Sequence, residues 1–174
     1  MKIEIKSIFG SILFEHEKEN NSIKDTLMEA IKSSANLRYA DLSSANLSYA
    51  DLRYADLSYA DLRYADLSYA DLSSANLSYA DLRSANLRSA NLRSADLRSA
   101  NLSYAKTDKR YIQIGCIGSS KRTTTYCFED NIIWCGCFKG TIKEFENQCK
   151  KTHKNNKQYL KEYIGFINYL KSLR

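Results

Sequence analysis

Cysteine and histidine are the residues of this sequence best suited to chemistry, and most of them lie near its C-terminal end. Cys135 and Cys137 are separated by one glycine, and Cys149 is followed four residues later by His153. Thiolates and an imidazole are zinc ligands, so these four residues are the candidates for a metal site. The C-x-C spacing departs from the usual zinc pattern, in which two to four residues separate the paired ligands.

A structural role explains the same cysteines without a ligand. Cysteine packs as a small apolar side chain, Cys135 and Cys137 would share one face of a strand, and Cys149 falls on the apolar side of a helix. We therefore predict that they fill a core, and that the protein holds no metal and no cofactor. With Cys116 and Cys127 the cysteines number five. An odd number favours reduced thiols in a cytoplasmic protein over a disulfide framework.

The sequence offers no catalytic constellation. Its two histidines, His16 and His153, lie far apart and in different segments, so no nucleophile can be paired with a base. The stretch GCIGSSK, residues 115–121, resembles a phosphate-binding loop, but its spacing is wrong. We predict that the protein has no catalytic residue and is not an enzyme.

The middle of the chain repeats every five residues. Alanine lies two residues before each leucine, Asp or Asn lies between them, Arg or Ser follows the leucine, and Tyr or Ser comes next. The fourteen leucines are the predicted core: Leu37, Leu42, Leu47, Leu52, Leu57, Leu62, Leu67, Leu72, Leu77, Leu82, Leu87, Leu92, Leu97 and Leu102.

A period of five fits neither a helix nor a flat strand. On an α-helix five residues advance by about 500°, so the leucines would form no stripe. On a straight strand each leucine would point to the face opposite the one before it. The conflict disappears if the chain turns a corner in every repeat. The spacing therefore predicts a solenoid with Ala and Leu inside and stacked coils.

The A-[DN]-L-[RS]-[YS] units resemble the pentapeptide repeat family. The resemblance covers residues 35 to about 106. It implies a mainly β fold, a right-handed quadrilateral β-helix with four sides and twenty residues in each coil. The fourteen repeats would then supply about three and a half coils or more.

In such a coil, residues twenty apart form columns on the surface. The columns are candidate interaction surfaces for a partner, although repetition alone also produces ladders of identical side chains. The candidate residues are Asp41, Asp61 and Asp81, with Arg63 and Arg83 placed to offset their repulsion, and Tyr39, Tyr59 and Tyr79.

The two ends differ from the repeats, and we expect three segments. The pattern of residues 1–34 predicts a hairpin around Gly10 and a helix after Ser22, which together form a cap for the first coil. Residues 35–108 are the repeat β-helix. Residues 109–174 predict a small antiparallel sheet from three apolar runs, followed by two helices, the first opened by a Thr141–Glu144 capping box. This last segment is also similar to tails that follow pentapeptide repeats in bacterial and phage-type proteins of unassigned role.

The charge is unevenly distributed. The chain carries a net charge of +6, but residues 33–106 hold eight basic and eight acidic residues and are neutral, whereas residues 107–174 hold thirteen basic and six acidic ones. Some pentapeptide repeat proteins protect topoisomerases by resembling duplex DNA, which needs an acidic rod. The neutral charge of these repeats disfavours DNA mimicry, and with it binding to the topoisomerase gyrase.

The first function hypothesis is therefore a non-enzymatic scaffold that binds a protein partner. DNA mimicry is the alternative, and nucleic-acid binding through the basic C-terminal segment is a further alternative, although we expect a protein partner rather than a nucleic acid.

No apolar run is long enough to span a bilayer, so no membrane role is expected. The sequence leaves a monomer and a homodimer open.

Overall fold

The structure is a computed structural model, and it describes residues 1–114, 117–118 and 123–173. It divides into two compact units, Met1–Asp108 and Lys109–Arg174. The first begins with strands β1 (Lys2–Lys6) and β2 (Ile12–Glu17) and helix α1 (Ile23–Lys32), and continues as the repeats. The second contains β3 (Tyr111–Ile114), β4 (Thr124–Cys127), β5 (Ile132–Cys135), β6 (Phe138–Thr141), α2 (Ile142–Thr152) and α3 (Lys157–Ser172).

The repeats form a β-helix-type solenoid with twenty residues in each coil. Parallel bridges join residues twenty apart, from Asp41 with Asp61 to Asn86 with Lys106. Backbone bonds alternate in direction along these bridges: the Leu62 N–H donates to the Asp81 carbonyl (2.8 Å), and the Asp81 N–H donates to the Ala60 carbonyl (2.9 Å). Each coil therefore satisfies the backbone of the next, as in a parallel sheet.

Every repeat turns its corner with the same backbone bond, from the alanine N–H to the leucine carbonyl three residues earlier, as from Ala65 to Leu62 (3.1 Å). The residue just before that alanine, a Tyr or a Ser, has a positive φ, for example 60° at Tyr64 and 60° at Ser74. Positive φ at the third residue alone is the pattern of a type II turn, which favours glycine there. The sequence did not predict this turn type, because the position holds no glycine.

The interior of the solenoid is packed with leucine and alanine. All fourteen leucines are buried, with exposures of 0–7%, as the five-residue pattern predicts. Asp or Asn, Arg or Ser, and Tyr or Ser take the outward positions, although Ser58 and Ser78 are also buried. Small alanine beside leucine leaves a close-packed core.

The N-terminal segment covers the first coil. The Ile8 N–H donates to the Tyr39 carbonyl and the Asp41 N–H donates to the Lys6 carbonyl (2.8 and 2.7 Å), so the hairpin pairs with the backbone of that coil. Helix α1 is capped by Ser22, whose side chain accepts a hydrogen bond from the Asp25 N–H. Its buried residues are Thr26, Leu27 and Ala30, whereas Ile23 and Ile31, each four residues from Leu27, are only half-buried.

The second unit is a four-stranded antiparallel sheet, ordered β3-β4-β5-β6, with two helices. Ile133, Phe145, Cys149 and Ile167 belong to its core, together with Tyr126, Cys135, Ile142, Tyr163, Phe166 and Leu170. The predicted capping box is present: Thr141 accepts from the Glu144 N–H, and Glu144 accepts from the Thr141 N–H.

One prediction for this sheet is wrong. The last of the three apolar runs, IIWCGCF at residues 132–138, predicts a single strand with Cys135 and Cys137 on the same face. Gly136 and Cys137 instead form a two-residue turn between β5 and β6, where Cys135 pairs with Phe138. Gly136 has φ of 57°, and glycine at the first turn residue marks a hairpin turn that other residues resist. The sheet therefore has four strands and not three.

Candidate functional site

The outward aspartates occupy columns whose charge is compensated. Asp61 lies between Asp41 and Asp81, and the Arg63 guanidinium binds its carboxylate through two nitrogens, with the shortest contact 2.6 Å. Arg83 binds Asp81 in the same way. The hydrogen bonds from Arg63 lower the pKa of Asp61 below its ordinary value. Each predicted arginine therefore neutralises the aspartate two residues before it.

Other columns avoid repulsion with amides. Asn76 donates from its side chain to the Asp56 carboxylate (3.1 Å), and Asn86 donates to Asp66 (3.0 Å). In each repeat the Asp or Asn oxygen also accepts a backbone N–H two residues later, as from Ser68 to Asp66 (3.0 Å). This local hydrogen bond fixes the backbone at the start of each turn, in repeats that contain neither glycine nor proline.

The predicted tyrosine column is a continuous aromatic stack. The rings of Tyr39 and Tyr59 lie 4.8 Å apart and those of Tyr59 and Tyr79 lie 4.7 Å apart, the latter pair tilted by only 3°. Phe9 from the hairpin lies at the end of this stack, with its ring 5.5 Å from that of Tyr39 and tilted by 49°. Arg38 lies over Tyr59, 5.3 Å from the ring centre. No sequence pattern indicated Phe9, because its place depends on how the hairpin pairs with the first coil.

The stacking determines what this surface can contact. Rings that lie face to face cover one another, so a partner meets their edges and hydroxyl groups, and neither sugar rings nor bases can insert between them. A side chain already held by its neighbours loses little conformational entropy when a partner binds. The aromatic column, defined as Phe9, Tyr39, Tyr59 and Tyr79, is thus an ordered surface on which the three tyrosines present their edges.

The cysteine and histidine candidates all line one cavity of about 500 Å³ in the second unit. Cys135 and Cys149 are buried in its wall, Cys137 is exposed at the hairpin turn, and the His153 ring stacks on Tyr163 at 5.3 Å. Burial raises the pKa of the Cys149 thiol to about 12. The Thr124 hydroxyl lies 3.0 Å from the Cys135 sulfur.

The cavity brings these four residues to one place but does not arrange them as ligands. Among residues 1–114, 117–118 and 123–173, no group of three or more His, Cys, Asp or Glu side chains is placed to hold a metal ion. Cys116 lies outside the described residues, and Cys127 contacts Asp130 (3.5 Å). A protonated, buried Cys149 acts as an apolar core residue.

No helix in the described part of the chain is both long and apolar enough to cross a bilayer.

The repeats match a known family model. The model for pentapeptide repeats matches residues 33–68 and 65–103, with eight copies. A search of curated proteins found no match.

Solved pentapeptide repeat proteins show the same likeness. HetL, involved in heterocyst differentiation regulation in a Nostoc cyanobacterium, is 45% identical over 40% of this chain and 37% of its own, with a TM-score of 0.25. A second protein of that Nostoc strain is 41% identical over 53% of this chain and 81% of its own (TM-score 0.30). One from the Arabidopsis thaliana thylakoid lumen is 32% identical over 40% of this chain and 52% of its own (TM-score 0.27). The chain therefore spans less than two thirds of HetL and of the Arabidopsis protein.

Proposed function

Because the chain belongs to the pentapeptide repeat family, we propose that it is a non-enzymatic scaffold whose repeat unit binds a protein partner. The aromatic column and the flanking Arg38 are the proposed contact surface. The solenoid is right-handed in this proposal, with about three and a half coils, and it works in the cytoplasm as a monomer or homodimer. The segments 1–34, 35–108 and 109–174 act as cap, rod and C-terminal domain.

The observation that carries the proposal is the ordered, outward aromatic column. Tyrosine and arginine are enriched at protein interfaces and supply much of the binding energy there. Phe9 is 76% exposed although it is one of the largest apolar side chains of the hairpin. This exposure supports a contact role for the Phe9 end of the column, whereas Tyr39, Tyr59 and Tyr79 are half-buried and contribute an ordered surface.

The experiment is affinity capture from the native cell, with partners identified by mass spectrometry. The test variant changes Tyr39, Tyr59 and Tyr79 to Ser, which fills the same position in other repeats and so preserves the fold. The control is Tyr64→Ser, which removes a tyrosine whose column neighbours are Ser44 and Ser84. We expect the triple variant to lose a partner that the control retains. Equal capture by both variants would contradict the proposal.

DNA mimicry is not the function we propose. The Arg53, Arg63, Arg83 and Arg98 guanidiniums each bind the aspartate two residues earlier, which removes the continuous negative surface that a mimic needs. In a supercoiling assay with gyrase we expect neither inhibition nor protection from a quinolone. Either effect at micromolar protein would reverse this conclusion.

A further inference from the structure

The two units differ in charge far more than the whole chain suggests. Residues 1–108 hold thirteen basic and fifteen acidic residues, a net charge of −2, whereas residues 109–174 hold thirteen basic and only five acidic ones, a net charge of +8. Such an excess on a small unit attracts anions and repels other cationic surfaces. The second unit is therefore where an anionic partner would be bound.

The five acidic residues of this unit are already engaged. Glu146 binds Lys150 and Lys171, each at 2.6 Å, and Asp130 binds Lys109 at 2.8 Å. The remaining three have equally local partners: Glu129 with Arg110, Glu144 with the Thr141 cap, and Glu162 with the Gly118 N–H. Within the described part of the chain, no ion pair of these five residues involves Lys151, Lys154, Lys157 or Lys161.

Four exposed lysines stand at the corner between the two helices. Lys151 is at the end of α2, Lys154 is in the loop, and Lys157 and Lys161 are in the first half of α3. They have no ion pair among the residues that the structure describes. We call Lys151, Lys154, Lys157 and Lys161 the lysine corner.

Helix stability does not account for the charges on α3. Lys157 is its first residue and its first turn contains no acidic side chain, although a cation near a helix N-terminus interacts unfavourably with the helix dipole. Lys157 and Lys161 are one turn apart, and like charges at that spacing repel each other. A placement that opposes folding is typical of residues kept for binding.

We propose that the lysine corner binds the phosphate backbone of a nucleic acid, without reading its sequence. Lysine is a point charge that contacts phosphate, whereas recognition of guanine favours the fork of arginine, and the corner contains none. A membrane surface fits less well, because the apolar sides of α2 and α3 are buried in the core through Phe145, Cys149 and Ile167. An interfacial helix must keep that side free for lipid.

The test measures binding of the 174-residue chain to a fluorescein-labelled twenty-base-pair DNA duplex. The fluorescence anisotropy of the duplex gives the affinity at 50 and 200 mM KCl. Four phosphate contacts predict that affinity falls by about a hundredfold between these salt concentrations. The test variant changes all four lysines of the corner to Gln. The control changes Lys2, Lys6, Lys18 and Lys32 to Gln, an equal loss of charge from the first unit, and circular dichroism checks that both variants fold.

We expect the corner variant to lose at least tenfold in affinity at 50 mM KCl and the control to stay within threefold of the unchanged protein. Three results would overturn the proposal: no binding of the duplex at 50 mM KCl, equal loss in both variants, or tighter binding to phosphatidylserine vesicles than to the duplex. The last result would assign the corner to a membrane surface. The aromatic column is untouched by either variant, so the outcome is independent of the proposed scaffold role.

Discussion

At the scale of single residues, the positive φ of the corner residue is the least expected feature. Tyrosine and serine occupy a left-handed backbone conformation that costs an L-residue about 1 kcal/mol or more, and they do so in successive repeats. The inter-coil hydrogen bonds and the buried leucines hold them there. The strain is thus distributed along the rod and offset by packing.

Changing Ser74 tests this strain, because the residue is exposed and has φ of 60°. Glycine adopts that conformation freely, so we expect Ser74→Gly to raise the free energy of unfolding by about 0.5 kcal/mol, after the entropy that glycine adds to the unfolded chain. Ser74→Val should lower it by more than 1 kcal/mol, since a β-branched side chain resists positive φ. Urea unfolding measures both, and equal effects of the two changes would refute the explanation.

The aspartates make the stability of the rod dependent on pH. Hydrogen bonds from Arg53, Arg63 and Ser68 lower the pKa of Asp51, Asp61 and Asp66 in the folded protein. The pKa of each carboxyl group is lower in the folded protein than the value of 3.8 in the unfolded chain, so the ionised aspartates stabilise the fold above pH 3.8. This stabilisation is lost as the pH falls from 3.8 through the lowered pKa. We expect the thermal midpoint to decline from pH 4 downward.

The substitution Asp61→Asn separates the contribution of the Asp61–Arg63 ion pair to stability from that of the backbone hydrogen bond in the turn. The amide keeps the oxygen that accepts the Arg63 N–H, and Asn occupies the same column at Asn101, so the variant should fold and lose about 0.5–1 kcal/mol at pH 7. Below pH 4 the thermal midpoint of this variant should fall less steeply with decreasing pH than that of the unchanged protein. A decline of identical steepness would show that Asp61 does not contribute.

The four cysteines that the structure describes should differ sharply in their reactivity toward alkylation. Cys137 is exposed at its turn, whereas Cys127, Cys135 and Cys149 are buried, and burial raises the pKa of Cys127 and Cys149. We expect iodoacetamide to modify Cys137 first among these four under native conditions, as seen by peptide mass spectrometry. Elemental analysis of the untreated protein tests the metal question, because one equivalent of zinc would contradict the core role.

At the scale of elements, the sequence predicted some features well and missed others for definable reasons. The leucine pattern and the Thr141–Glu144 box are local, so they could be recognised from spacing alone. The turn at Gly136 and Cys137 was missed because an alternating apolar run looks the same whether or not it folds back. The place of Phe9 depends on pairing with a distant coil, which no local pattern encodes.

The capping box of α2 gives a prediction at this scale. Thr141 accepts from the Glu144 N–H at 3.3 Å and begins a helix that supplies Phe145 and Cys149 to the core. Thr141→Ala should lower the free energy of unfolding of this unit by about 1 kcal/mol. Urea unfolding monitored by the fluorescence of Trp134 would measure it, and Thr152→Ala, at the other end of the helix, serves as the control.

At the scale of the whole molecule, the N-terminal segment protects an otherwise open edge. Its hairpin bonds the backbone of the first coil at Tyr39 and Asp41, and exposed backbone at the end of a β-helix invites further pairing. We expect deletion of residues 1–33 to cause self-association that grows with protein concentration. Light scattering after size exclusion would reveal it, and a monodisperse monomer would show that the segment is not a cap.

The twenty-residue coil also constrains how the gene can change in length. Gaining or losing four repeats, twenty codons, returns every later residue to its original side, so the aromatic and charged columns are preserved. A change of one repeat leaves the leucine core equally well packed, yet it moves all downstream side chains to the next side. Selection on stability alone would tolerate any number of repeats, whereas selection on a surface would favour lengths that differ by whole coils.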